Sequence, residues 1–178
     1  MKALITGASS GIGLDMARYL STKKIELFLV SRSKEKLEEI QKELPTKVTV
    51  IVADLSFEQK VKELYALVKK ENIDILINNA GFGKFGNFTD TNLNDEIEMI
   101  DLNIKAVHIL TKLLLKDMEE RNSGYILNVA SSAAFQPGPL MATYYATKSY
   151  VYQLTEAIYY EERKRRKMFI YQFYAQDQ

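Results

Sequence analysis

Cysteine is absent, which excludes a disulfide framework, a thiolate nucleophile and every cysteine-ligated metal site. Histidine occurs once, at His108, so a histidine-rich metal centre is excluded as well and no metal is expected. The chain also lacks an excess of either charge. Twenty-four Lys plus Arg stand against 23 Asp plus Glu, and the net charge of +1 provides no field to gather a polyanion such as nucleic acid. Long apolar runs are missing too: Val48 to Ala53 and Ile73 to Ile77 fall far short of the roughly 20 residues needed to span a bilayer. The opening Met1 to Thr6 turns into glycine too early for a secretory apolar segment, and the expected location is the cytoplasm.

What is present is an average globular composition over 178 residues, 47% hydrophobic and 26% charged, the size of one domain spanning 1–178. A chain of this length buries roughly 70% of its unfolded surface, so a real core is expected. Strand-like runs fall at Ala3 to Thr6, Glu26 to Ser31, Lys47 to Ala53, Asp74 to Asn78, Tyr125 to Ala130 and Met168 to Tyr174. Between them, apolar residues recur at helical spacing, as in Leu37, Ile40 and Leu44, or Val61, Leu64, Leu67 and Val68. This alternation predicts an α/β fold: a doubly wound parallel sheet of about six strands, with helices on both faces. Val48 to Ala53 reads as a strand buried on both sides. Such sheets bind ligands at the carboxyl ends of their strands, where the winding reverses.

The first strand runs into Thr6-Gly7-Ala8-Ser9-Ser10-Gly11-Ile12-Gly13, a T-G-x-x-x-G-x-G loop that opens a helix. In that context backbone N–H groups can approach a pyrophosphate, whose charge the helix N-terminus favours. The competing reading is that the glycines only permit close packing of strand and helix. The second strand ends in Val30-Ser31-Arg32-Ser33, with no carboxylate to take a ribose 2′-hydroxyl. Arg32 offers instead a planar, permanently charged fork suited to a 2′-phosphate, so NADP(H) is favoured over NAD(H). A solvated arginine at a helix start is the bland alternative.

Tyr144 and Lys148 are four residues apart and share a helix face. An ammonium beside a phenol stabilises the phenolate and lowers its pKa from a reference of about 10, making tyrosine usable as an acid or base. Ser131, at the end of the fifth strand, can donate a hydrogen bond to a substrate oxygen that gains negative charge. Spacing alone does not separate Tyr144 from Tyr145, three residues before Lys148.

Together these residues resemble the short-chain dehydrogenase/reductase family over about the first 165 positions. Its T-G-x-x-x-G-x-G loop matches Thr6 to Gly13, its N-N-A-G matches Asn78 to Gly81, and its Y-x-x-x-K matches Tyr144 to Lys148. The resemblance implies a Rossmann fold and an oxidoreductase interconverting a carbonyl and an alcohol by hydride transfer. It implies that Tyr144 is the acid/base, that Lys148 also holds the nicotinamide ribose, and that Ser131 is the substrate-oxygen donor. Ser131 is taken over Ser132 because the family's serine lies thirteen positions before its tyrosine. Asn103 matches the helix asparagine of a water-linked proton relay. The cofactor would be held by Thr6, Gly7, Ser9, Ser10, Gly11, Ile12 and Gly13, with Asp54 and Leu55 against adenine and Asn79, Ala80 and Gly81 beside the adenosine ribose. The helices around residues 95 to 121 and 144 to 165 would pair two subunits into a homodimer.

The family pattern breaks after the last strand, where the sequence runs to Gln178 with neither the expected Pro-Gly turn nor a substrate-covering segment. A C-terminally shortened member is therefore expected. A second hypothesis follows: a truncated module that binds nucleotide or a protein partner and turns over weakly. His108 is expected to pack on or cap the helix containing Asn103. Arg163 to Lys167 reads as a solvated helix end rather than a nucleic-acid patch, since Glu161 and Glu162 precede it and cations suit a helix C-terminus. Phe82, Phe85, Phe88, Phe135 and Leu140 predict only an apolar neighbourhood for the substrate.

Overall fold

A computed structural model describes residues 1–163 and 168–175; the basic residues 164–167 of the expected helix end lie outside the described residues. The strands are β1 (Lys2–Thr6), β2 (Glu26–Ser31), β3 (Val48–Val52), β4 (Ile75–Asn78), β5 (Gly124–Ser131) and β6 (Met168–Ala175). All five strand pairings are parallel, in the order β3-β2-β1-β4-β5-β6. The winding reverses between β1 and β4, which fixes the place where a crevice must open.

Helices α1 (Gly11–Thr22) and α2 (Lys34–Glu43) cover one face of the sheet. Helices α3 (Glu58–Val68), α5 (Val107–Arg121) and α6 (Ala142–Glu162) cover the other. Strand periodicity divides the core accordingly: Leu4 packs with Val61, Leu64, Leu110 and Leu114, whereas Ala3 and Ile5 pack with Ala17, Leu37 and Ile40. Each fully buried Leu or Ile contributes about 1.5–3 kcal/mol relative to exposure, so the alternation pins the register.

β3 departs from the expectation of a strand buried on both faces. It is an edge strand, and Val52 is 51% exposed. Its valine-rich run reflects β propensity on a half-covered surface rather than full burial.

A buried polar network lies inside the sheet's right half. Asn78 Nδ2 donates to Thr111 Oγ1 at 3.0 Å and to Asn128 Oδ1 at 2.8 Å, and Asn128 Nδ2 donates to Thr155 Oγ1 at 2.9 Å. Four buried side chains thus join β4, β5, α5 and α6.

The helix expected around Asn103 is a continuous run in three parts: α4 (Leu93–Ile100), a π turn over Asp101–Ala106, and α5. Asn92 caps its start, accepting from Asn94 N at 2.8 Å. His108 neither caps a helix end nor sinks into the core; it is exposed on α5 and meets the Tyr150 hydroxyl of α6 at 2.7 Å through Nδ1.

Candidate functional site

The loop after β1 is shaped by two close approaches. Gly7 has φ +65°, and a Cβ there would lie 2.8 Å from Ala80 Cα; a Cβ on Gly13 would overlap the Gly7 carbonyl and Asn79 Nδ2. Thr6 locks the two strand ends together. Its Oγ1 accepts from Asn79 N at 3.0 Å and Ala80 N at 3.1 Å and donates to Ile77 O at 3.4 Å. Asn79 Nδ2 returns bonds to Thr6 O at 3.2 Å and Gly7 O at 3.0 Å. The side chains of Thr6 and Asn79 therefore brace the switch point from within. Gly7, Ser9, Ser10 and Ile12 form the cleft wall, while Gly11 and Gly13 stand outside it. Ser10 precedes α1 without placing its hydroxyl on the helix's first amides, and no acidic residue occupies the first turn, so the helix N-terminus faces the loop with its positive end unopposed.

The cleft over this loop has a volume of about 470 Å³. Arg32 stands at one end with Asp54 and Leu55, Asn79 to Gly81 line the middle, and Tyr144 and Lys148 close the other end. Its lining fits a dinucleotide: in strand order, a guanidinium after β2, glycine backbone and a helix N-terminus after β1, and beyond β4 and β5 the phenol and amine of Tyr144 and Lys148. Arg32 Nη1 lies 3.3 Å from Glu98 Oε1 and 4.0 Å from Asp54 Oδ2. Asp54 Oδ1 is taken up locally, accepting from Ser56 N at 3.0 Å and Ser56 Oγ at 2.7 Å.

At the far end, Lys148 is buried on α6 and donates from Nζ to Val129 O at 3.0 Å. The same Nζ lies 5.7 Å from the Tyr144 ring centroid. Tyr144 lines the cleft, its ring in contact range of Gly83; Tyr145 packs instead against Gly138, where a Cβ would overlap its ring. The two tyrosines that spacing left equivalent are thus separated by the loops they touch. Asn103 is buried in the π turn: Oδ1 accepts from Phe82 N at 3.1 Å, and Nδ2 donates to Phe82 O at 2.9 Å and to Thr147 Oγ1 at 3.1 Å. Thr147 donates in turn to Tyr144 O at 2.7 Å. Asn103 therefore ties the loop after β4 to the α6 turn that carries Tyr144 and Lys148.

Ser131 ends β5 one residue beyond Ala130, which lines the cleft, but Ser131 itself is buried. Its Oγ accepts from Ala133 N at 3.1 Å and starts a short 3-10 turn, Ser132–Phe135. The neighbouring Ser132 is exposed. Of the apolar residues expected near the substrate, Phe82 lines the cleft, while Phe85, Phe88, Phe135 and Leu140 are exposed beyond it. A bond from Gly86 N to Leu140 O at 2.8 Å joins the two loops that carry them.

The cleft also holds residues that no motif marks, Ala53, Val129 and Ala130 among them. Leu102 lines the cleft, and Glu98 reaches Arg32 from α4. Their i, i+4 spacing, with Leu102 next to Asn103, was the available signal. Among the described residues there is no cluster of three metal-ligating side chains, and no helix is long and apolar enough to cross a membrane.

Comparison with known proteins agrees with this geometry. The profile of the family described as short chain dehydrogenase matches residues 1–170. The chain belongs to the short-chain dehydrogenase family. Hydroxysteroid dehydrogenase-like protein 1 of Gallus gallus is 36% identical over 171 residues, covering 89% of this chain and 50% of that protein. The very-long-chain 3-oxoacyl-CoA reductase of Anas platyrhynchos is 34% identical over 172 residues, covering 92% of this chain and 55% of that protein. The chain thus spans about half the length of these two relatives. Among solved structures, a short-chain dehydrogenase from Sphingobium yanoikuyae in complex with NADPH superposes with a TM-score of 0.92 at 28% identity, covering 98% of this chain and 70% of that one. A bulky-bulky ketone specific alcohol dehydrogenase from Comamonas testosteroni gives 0.92 at 29% identity, covering 98% and 72%. The Rossmann architecture expected from the short-chain dehydrogenase motifs is the architecture present.

Proposed function

We propose that this chain is an NADP(H)-dependent oxidoreductase that interconverts a carbonyl and an alcohol on a bulky apolar skeleton. The observation that carries the reading is the buried Lys148 ammonium, held on Val129 O at 3.0 Å and 5.7 Å from the Tyr144 ring, in the cleft that the glycine loop also lines. When bound, the nicotinamide supplies or accepts the hydride. The chain's own side chains handle binding and the proton. Tyr144 gives its phenolic proton to the substrate oxygen in reduction and takes it back in oxidation, and the Lys148 charge favours the phenolate that results. Ser131, its Oγ oriented by the Ala133 amide, polarises the substrate oxygen. Asn103 holds the Phe82 loop against α6 so that these groups keep their spacing. Gly7, Ser9, Ser10 and Ile12 with the α1 N-terminus receive the pyrophosphate, Arg32 takes the 2′-phosphate, and Asp54, Leu55 and Asn79 to Gly81 flank the adenosine.

The NADP preference draws on Arg32 and on the NADPH complex of the Sphingobium relative. The bulky substrate class draws on the names of three relatives, a hydroxysteroid dehydrogenase-like protein, a very-long-chain 3-oxoacyl-CoA reductase and a bulky-bulky ketone specific alcohol dehydrogenase. It also draws on the exposed Phe85, Phe88, Phe135 and Leu140, the first two and the last on loops joined by the Gly86 N to Leu140 O bond. Pairing of two copies through the exposed faces of α5 and α6, where His108 meets Tyr150, belongs to the same reading and is checked by the mass in solution.

The test is NADPH oxidation against a panel of steroid, 3-oxoacyl and aryl ketones. Turnover that falls by about 10²-fold or more in Tyr144→Phe, with NADPH binding retained, supports the enzyme. Binding of NADPH without turnover of any ketone would instead favour a nucleotide-binding module.

A further inference from the structure

We propose that Glu98 is a specificity-determining residue that restrains NADP preference by occupying Arg32 in place of the 2′-phosphate; this rests on the assignment of Arg32 to that phosphate. The two residues are 66 positions apart, and their side chains meet at the adenosine end of the cleft, Arg32 Nη1 to Glu98 Oε1 at 3.3 Å. Arg32 comes from the end of β2. Glu98 comes from α4, four residues before the cleft-lining Leu102 of the π turn, and its carboxylate meets Arg32 directly.

The local charge explains the effect. One guanidinium faces two carboxylates, Glu98 at 3.3 Å and Asp54 at 4.0 Å, a net of one negative charge where a phosphate carrying about −1.5 to −2 would have to settle. Asp54 already accepts two bonds from Ser56 and lies farther away, so Glu98 is the stronger competitor. The Arg32 and Glu98 side chains are 65% and 40% exposed, so water screens the pair and a bidentate phosphate can displace it. Displacement still releases an unpaired carboxylate beside the new anion. A cofactor with a 2′-hydroxyl brings no charge to this place and leaves the pair intact. Glu98 therefore weakens NADPH selectively and narrows the gap to NADH.

The experiment measures dissociation constants of NADPH and NADH for the full chain and its Glu98→Gln, Glu98→Ala, Arg32→Ala and Arg32→Ala/Glu98→Gln variants, with thermal melts as folding controls. Glu98→Gln and Glu98→Ala are expected to tighten NADPH roughly three- to tenfold and to leave NADH within about twofold. Measured against Arg32→Ala, the gain should be smaller in the double variant, where only direct repulsion is removed, and it should shrink as salt is raised. Unchanged or weaker NADPH binding in both Glu98 variants, while Arg32→Ala still weakens NADPH selectively, overturns the role of Glu98 alone. Equal weakening of both cofactors by Arg32→Ala overturns the Arg32 assignment and this inference with it.

Discussion

The side chain of Asn103 and the backbone of Phe82 exchange two hydrogen bonds, 3.1 Å into Oδ1 and 2.9 Å from Nδ2. A third bond, from Nδ2 to Thr147 Oγ1, makes this amide the joint between the loop after β4 and the helix that carries Tyr144 and Lys148. Asn103→Ala would leave the Phe82 N–H and C=O without it. The expected cost is about 1–3 kcal/mol, read by urea unfolding, with a larger fall in kcat than in NADPH affinity. Asn103→Asp keeps the acceptor for Phe82 N but loses the donor, and should do worse than Asn103→Ser. Equal stability and turnover in all three variants would remove the joint from the account.

Ser131 and Ser132 can be told apart by substitution. If Ser131 polarises the substrate oxygen, Ser131→Ala lowers kcat by about 10²-fold, a magnitude seen for single oxyanion donors, while Ser132→Ala stays near wild type. The opposite ranking would assign the donor to Ser132, which is exposed where Ser131 is buried.

Lys148→Met removes the buried cation while keeping an unbranched chain in the same space. Turnover should fall, and the pH at which alcohol oxidation reaches half its plateau should move upward, because a phenolate without a neighbouring ammonium forms less readily. A pH–rate profile of unchanged midpoint would show that the lysine contributes only packing.

Tyr65 gives a pH signature outside the site. Its hydroxyl donates to Asp117 Oδ1 at 3.0 Å, joining α3 to α5, and burial together with that bond pushes its pKa up to about 12. The folded chain therefore holds this proton more tightly than the unfolded chain, whose tyrosine titrates near about 10. The stabilisation is full below about pH 10 and is lost as pH rises toward about 12. Urea titrations of wild type and Tyr65→Phe should show a stability difference that is flat at neutral pH and declines over that window. A difference independent of pH would contradict the shift.

The strands were legible because each is a short apolar run ended by glycine, asparagine, aspartate or serine, and the helices between them carry one apolar stripe. Sheet order was not. Nothing local in Val48 to Val52 says that it stands at the sheet's edge with Val52 exposed, which is why its apolar run reads as buried on both faces. The glycine loop and the Tyr144–Lys148 pair could be singled out because each is a pattern of positions close in sequence, and the fold brings both to one cleft. Glu98 could not, since its meaning comes from a guanidinium 66 residues away. The same holds for Thr6, which reads as part of a phosphate loop but spends its hydroxyl on Ile77, Asn79 and Ala80.

The π turn over Asp101–Ala106 has a consequence for the rod on either side of it. Accommodating one surplus residue offsets the two halves by about 100° relative to an uninterrupted α-helix. Ahead of the π turn, Glu98 reaches Arg32 at the crevice rim, and Leu102, the turn's second residue, lines the crevice; after it, Leu110, Leu114 and Met118 look onto the sheet. One length of helix thus addresses two surfaces that an unbroken spiral would not serve together. Excising a single residue there would preserve helicity and yet swing one half away from its partner.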